Sequence, residues 1–142
     1  MRLPALLSLA PLALMTSACA TTQPIDPRIA PAGFDFASAP RVEVVLSDFD
    51  FTPRTLQLPA GEPIVLALVN RSGNGHNFAA PNFLQAAQVV PEDAAIIAGG
   101  AIEVPGGQTV VVRLVPEAGD FNLDCSHTGH SLLGMTGSIV VR

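Results

Sequence analysis

The sequence predicts an all-β fold, a Greek-key β-sandwich of about seven strands with at most one short helix. Apolar and polar residues alternate with period two in segment after segment, as half-buried strands require. Turns rich in glycine and proline separate those segments at intervals of roughly 8 to 12 residues. Only Asn82 to Gln88 reads as helical, for one or two turns, and the chain has no internal repeat.

Taken in order, residues 1–20 read as an export signal: Arg2, an uncharged apolar run from Leu3 to Met15, then Thr16-Ser17-Ala18-Cys19-Ala20. The run is too short to span a bilayer and is flanked as a cleavage site should be. Two cleavages are readable. Ala18-Cys19-Ala20 is a small-x-small site that releases the chain at Thr21. Ser17-Ala18-Cys19 resembles a bacterial lipobox in which Cys19 carries lipid as the first mature residue, although Thr16 stands where leucine is usual. The scarcity of cysteine and the spacer that follows tilt the reading towards the lipoprotein. Export to the bacterial periplasm is expected either way, with membrane association only through lipid on Cys19. Residues 21–40, with Pro24, Pro27, Pro31 and Pro40 among small and polar neighbours, read as a Pro-rich linker.

Residues 41–142 then form the domain. Val42, Val44 and Leu46 alternate with Glu43, Val45 and Ser47, and Thr55-Leu56-Gln57-Leu58 continues the pattern after a turn containing Pro53. Pro63 to Asn70 is apolar on both faces, as a central strand is. Ile102 to Val104 makes a short strand, and Thr109 to Val115 is β-branched almost throughout and ends in the turn Pro116-Glu117-Ala118-Gly119. Gly119 to Cys125 alternates so that Phe121, Leu123 and Cys125 share the inward side and Asp120, Asn122 and Asp124 the outward one. Gly137 to Arg142 closes the sandwich with Ile139 and Val141 on one face.

With 142 residues, 49% hydrophobic and 13% charged, the chain suits one compact domain. Its formal charge of −5, from seven arginines and no lysine against the acids, argues against nucleic acid or anionic lipid as the main partner. The domain retains a single cysteine, Cys125, which excludes a disulfide framework.

That cysteine sits in DCSHTGHSLLGM, which gathers Cys125, His127, His130 and Met135, while the remaining histidine, His76, lies upstream in NRSGNGHNF. Taken singly each is ordinary: a core cysteine, a gap-filling methionine, solvated loop histidines. Together His76, Cys125, His130 and Met135 supply a thiolate, two imidazoles and a thioether, the donor set of a His₂Cys electron-transfer copper site with a weak axial Met. The spacing Cys-x4-His-x4-Met puts the last three on one loop between two strands. His127 is the alternative imidazole, but Cys-x-His is too tight to displace His130 comfortably.

These residues resemble the cupredoxins, or type 1 blue copper proteins, whose C-terminal loop carries Cys, His and Met and whose first His lies far upstream, usually followed by Asn. Here the corresponding stretches are Gly75-His76-Asn77 and Cys125 to Met135, and the resemblance extends over residues 41–142. It implies a cupredoxin-like sandwich binding one copper ion per chain, alternating between Cu(I) and Cu(II). It also implies residues behind the ligands: Asn77 tied to Ser126, and the Gly75 carbonyl near the metal opposite Met135. Leu132, Leu133 and Phe78 would form an apolar rim through which His130 faces a redox partner, a cytochrome or oxidase. The chain would then be a monomeric electron carrier and not an enzyme; the rival use of the same site is copper delivery or sequestration. Other chemistries fit less well. A dinuclear copper centre needs two bridging cysteines, structural zinc wants more Cys or His and no Met, and a cysteine hydrolase needs an exposed thiolate with oxyanion donors.

Overall fold

The structure is a computed structural model that describes residues 23–142. The expected signal segment, residues 1–20, and the Cys19 lipid site lie outside the described residues. Among those described, strands β1 (Arg28–Ile29), β2 (Arg41–Ser47), β3 (Asp50–Thr52), β4 (Thr55–Leu58), β5 (Ile64–Asn70) and β6 (His76–Ala79) come first. A helix, α1 (Pro81–Ala86), and a short strand, β7 (Gln88–Val89), follow, then a 3₁₀ turn over Pro91–Asp93 that runs into a single helical turn, Ala94–Ile97. β8 (Ala101–Val104), β9 (Thr109–Val115), β10 (Gly119–Asp124) and β11 (Thr136–Val141) complete the chain.

The strands form two sheets, one in the order β1-β7-β9-β5-β2-β3 and the other β4-β11-β10-β6-β8. The result is the all-β sandwich the alternation predicts, with more strands than seven because short pairings at β1, β3, β6 and β7 add to the long ones. β5 lies between β2 and β9 in its sheet, with Ile64, Leu66 and Leu68 buried on one face and Val65 and Val69 half-buried on the other. β2 pairs with it in parallel and β9 antiparallel, so neighbours in space are distant in sequence, as Greek-key connections require.

Alternation decides what fills the space between the sheets. Val44 and Leu46 from β2, Leu56 and Leu58 from β4, Leu66 and Leu68 from β5, and Ile139 and Val141 from β11 are all buried. Each contributes roughly 1.5–3 kcal/mol by leaving water. Phe51, Phe78 and Phe83 form an edge-to-face series through the core, with ring centroids 6.4 and 6.3 Å apart.

Part of the stretch read as a Pro-rich linker packs on the domain. β1 runs parallel to β7, Ile25 packs against the core and donates its N–H to the Ala98 carbonyl, and Arg28 donates to the Ala86 carbonyl and pairs with Glu117 at 2.8 Å. Proline spacing alone hid this, because a two-residue strand carries no periodic signal and its partner is chosen by tertiary packing.

Candidate metal centre

At one end of the sandwich β5 gives way to β6 and β10 to β11, and the connecting loops meet. The loop before His76 is built around Asn70, a buried amide at the end of an otherwise apolar strand. Its Nδ2 donates to the Asn74 and Val104 carbonyls at 2.8 and 2.9 Å, and its Oδ1 accepts from the Ser72 N–H and hydroxyl, both at 2.9 Å. A side chain at Gly106 would meet the Gly73 carbonyl oxygen at 2.5 Å, so backbone approach pins the same loop from the other side. His76 emerges as the first residue of β6, fully buried.

The second loop leaves β10 at Cys125 and returns at Met135, both fully buried. The Cys125 N–H donates to the Met135 carbonyl and the Met135 N–H to the His130 carbonyl, each at 3.1 Å, so the ends of the loop close on each other and on its middle. Gly129 and Gly134 sit at φ of 83° and 104°, the left-handed turns that let so short a loop fold back.

These loops bring His76, Cys125 and His130 together. The His76 and His130 Nδ1 atoms are 3.1 Å apart, and Cys125 Sγ lies 3.4 Å from His130 Nδ1 and 3.9 Å from His76 Nδ1. A point within that triangle stands about 2 Å from every corner, the length of a metal–imidazole bond and close to the roughly 2.3 Å of a metal–thiolate bond. Two imidazole nitrogens that both present lone pairs at this separation repel unless a cation lies between them. The donors therefore fit a single ion, with Met135 buried at the end of the same loop. Burial holds the His76 imidazole below its usual pKa, with the nearby Asp48 carboxylate opposing, so the ring is neutral and its lone pair free.

Behind the ligands, the Ser126 N–H donates to Asn77 Oδ1 at 2.9 Å, and Asn77 Nδ2 donates to Ser126 Oγ at 2.8 Å and to Glu103 at 2.7 Å. The other Glu103 oxygen lies 2.9 Å from His127 Nε2, so His127 turns away from the triangle towards β8. A Cβ at Gly75 would make only an ordinary 3.6 Å contact with the His127 ring.

Phe78 is not on the rim. It shares a strand face with His76, and that face points into the sandwich, so its ring is fully buried beneath the site. The aromatic beside the loop histidine is Phe49, in the turn between β2 and β3, whose ring meets that of His130 edge-on at 5.3 Å. Leu132 and Leu133 are 92% and 63% exposed, which leaves an apolar surface next to half-buried His130.

Sequence reasoning overlooked Asn70, Glu103 and the Asp48-Phe49 turn. Asn70 had a signal, a lone polar residue closing an apolar strand. The alternation of acid and aromatic in Asp48-Phe49-Asp50-Phe51 looks like a continuing strand and conceals the turn.

Fold and pocket together define a β-sandwich protein with a His₂Cys pocket at the end of its two sheets. The chain matches the cupredoxin-like domain over residues 8–141 and belongs to that family. Among solved structures it is similar in fold to auracyanin B, at 22% identity and a TM-score of 0.57, over 86% of this chain and 99% of that one. It is similar also to auracyanin A, a "blue" copper protein from Chloroflexus aurantiacus, at 22% identity and a TM-score of 0.52, over 73% of this chain and 100% of the other. A multi-copper oxidase from Pediococcus acidilactici shares 17% identity at a TM-score of 0.56, with 81% of this chain aligned to 28% of the oxidase. No match is found among curated protein sequences.

Proposed function

We propose that this chain holds one copper ion in the pocket of His76, Cys125, His130 and Met135 and carries single electrons between redox partners. The observation that carries the reading is the triangle of two imidazole nitrogens and one thiol sulfur, sized for a single ion. Bound there, copper would supply a one-electron Cu(II)/Cu(I) couple. The Cys125 thiolate and Met135 thioether favour the reduced ion, while the imidazoles serve both states. Asn77, Ser126 and the Asn70-anchored loop hold the donors in place, so little moves when the charge changes.

Four donors from the protein leave no vacant position for a substrate, which supports a carrier and not an enzyme. His130 is the ligand nearest solvent among the two histidines of the triangle, and Leu132, Leu133 and Phe49 surround its approach with apolar surface. A cytochrome or oxidase that presents an apolar face fits it as partner, and the chain acts as a monomer. The signal-like residues 1–20 support work in the bacterial periplasm, with Cys19 as the residue that would carry a lipid anchor.

Titration with Cu(II) tests the reading. The expected result is an intense visible thiolate-to-copper band that saturates at one ion per chain and disappears in Cys125→Ser. Uptake of Cu(II) without colour would overturn it. Reduction then separates the uses, since an electron carrier retains its copper and a delivery protein surrenders it. For the anchor, Cys19→Ser should release the protein from the membrane to the soluble fraction, whereas an unmodified chain beginning at Thr21 decides for plain cleavage.

A further inference from the structure

His76 uses one ring nitrogen towards the pocket and leaves the other, Nε2, wholly buried without a hydrogen-bond partner. An unpaired buried N–H is costly, so a nearby negative group matters. The Asp48 carboxylate stands 3.5 Å from that nitrogen, an electrostatic contact just beyond a formed hydrogen bond. Asp48 is itself held: Asn74 Nδ2, on the loop that delivers His76, donates to the same Asp48 oxygen at 3.1 Å.

The next residue points to the other histidine. Phe49 adopts a φ of 66°, the left-handed region that bulky side chains rarely enter, and this conformation accompanies the edge-on contact of its ring with His130. One two-residue turn thus addresses both imidazoles of the pocket, a carboxylate to His76 and an aromatic edge to His130.

We infer that Asp48 is a positioning residue for the metal site, its carboxylate attracting the His76 Nε2–H electrostatically so that the ring is held in the tautomer whose Nδ1 lone pair faces Cys125 and His130. A histidine ligand whose far N–H meets a carboxylate is a stronger donor, and a stronger donor favours the more highly charged ion. Asp48 therefore holds the reduction potential down. The effect on potential rests on the copper reading above, whereas the tautomer does not.

Two measurements on the full chain test it. In the metal-free protein, ¹⁵N NMR of the His76 ring should show the proton on Nε2, and Asp48→Ala should convert this to a mixture of tautomers. In the copper-loaded protein, Asp48→Ala and Asp48→Asn should keep the visible band. Asp48→Ala should lose about tenfold in preference for Cu(II) over Cu(I), a rise of about 59 mV for a one-electron couple. Asp48→Asn, which keeps an acceptor but not the charge, should fall between. Asp50→Asn removes an equal charge from a neighbour that pairs with Arg54 instead, and should shift the potential less than Asp48→Asn. A wild-type proton on Nδ1, or a folded Asp48→Ala protein with unchanged tautomer and potential, overturns the inference. Absence of copper binding in the wild type defeats the copper reading alone and leaves the tautomer result to decide the role of Asp48.

Discussion

Asn77 and Ser126 grip each other twice, once through the Ser126 backbone N–H and once through its hydroxyl, and so join the strand that begins at His76 to the loop that begins at Cys125. Neither half of the pocket is free to drift from the other while that pair holds.

Replacing Asn77 with Ala should cost about 2 kcal/mol, because the half-buried Ser126 backbone N–H loses its acceptor along with the paired side-chain bonds. Urea unfolding of the metal-free protein measures it. Asn77→Asp should fare worse at neutral pH, since it sets a carboxylate against Glu103 where an amide now donates at 2.7 Å. Stability within a few tenths of wild type in both variants contradicts the role given to this pair.

The two histidines of the loop should behave oppositely. His130→Gly should open a position that added imidazole refills, restoring the visible band, whereas His127→Ala should leave the band nearly intact because its ring bonds Glu103 and not the triangle. Met135→Leu should retain colour and raise the potential, since a weak donor to Cu(II) is lost. Visible spectra and voltammetry decide each case.

Leu132→Ser should change stability by less than about 0.5 kcal/mol, because the side chain is almost wholly in water. Its band and potential should also stay put. The electron self-exchange rate should fall severalfold, because apolar surface beside His130 is lost; an unchanged rate places the electron path elsewhere.

Acid should expose a second weakness, far from the pocket. Asp93 is buried; burial alone would raise its pKa, but hydrogen bonds from the Arg113 side chain and backbone N–H, with the guanidinium charge, outweigh that and hold it below the usual range. A carboxyl depressed on folding stabilises above its unfolded pKa of about 3.9 and loses that contribution as pH falls through the lower folded value. Asp93→Asn should therefore be less stable than wild type at pH 7, with the gap closing below about pH 4. A gap independent of pH in thermal melts contradicts the assignment.

Long alternating strands were legible because burial on one face imposes period two: Val44 and Leu46, or Ile139 and Val141, announce the inner face directly. β6 was not, because all four of His76, Asn77, Phe78 and Ala79 are buried and no alternation survives. That is also why Phe78 reads as a rim residue when it lies in the core. The donors of the pocket were legible as residue types, since thiolate, imidazole and thioether are rare in this chain. Their supports were not: Asp48, Asn70 and Glu103 are common polar residues whose roles depend on which loops meet.

β11 lies between β4 and β10, and its pairing with β4 joins Thr55 to Ser138 across 83 positions of the chain. The loop that carries Cys125, His130 and Met135 has β11 as one of its two supports. Pairing of Asp124 with Thr136 closes that loop, so the spacing of its donors depends on β11 holding both β10 and the sequence-distant β4. Without that closure Cys125 would be an open thiol, able to oxidise or to capture a soft ion. The site is thus hostage to a strand that supplies none of its donors, and losing residues 136–142 should remove it although every residue of the β1-to-β3 sheet is retained.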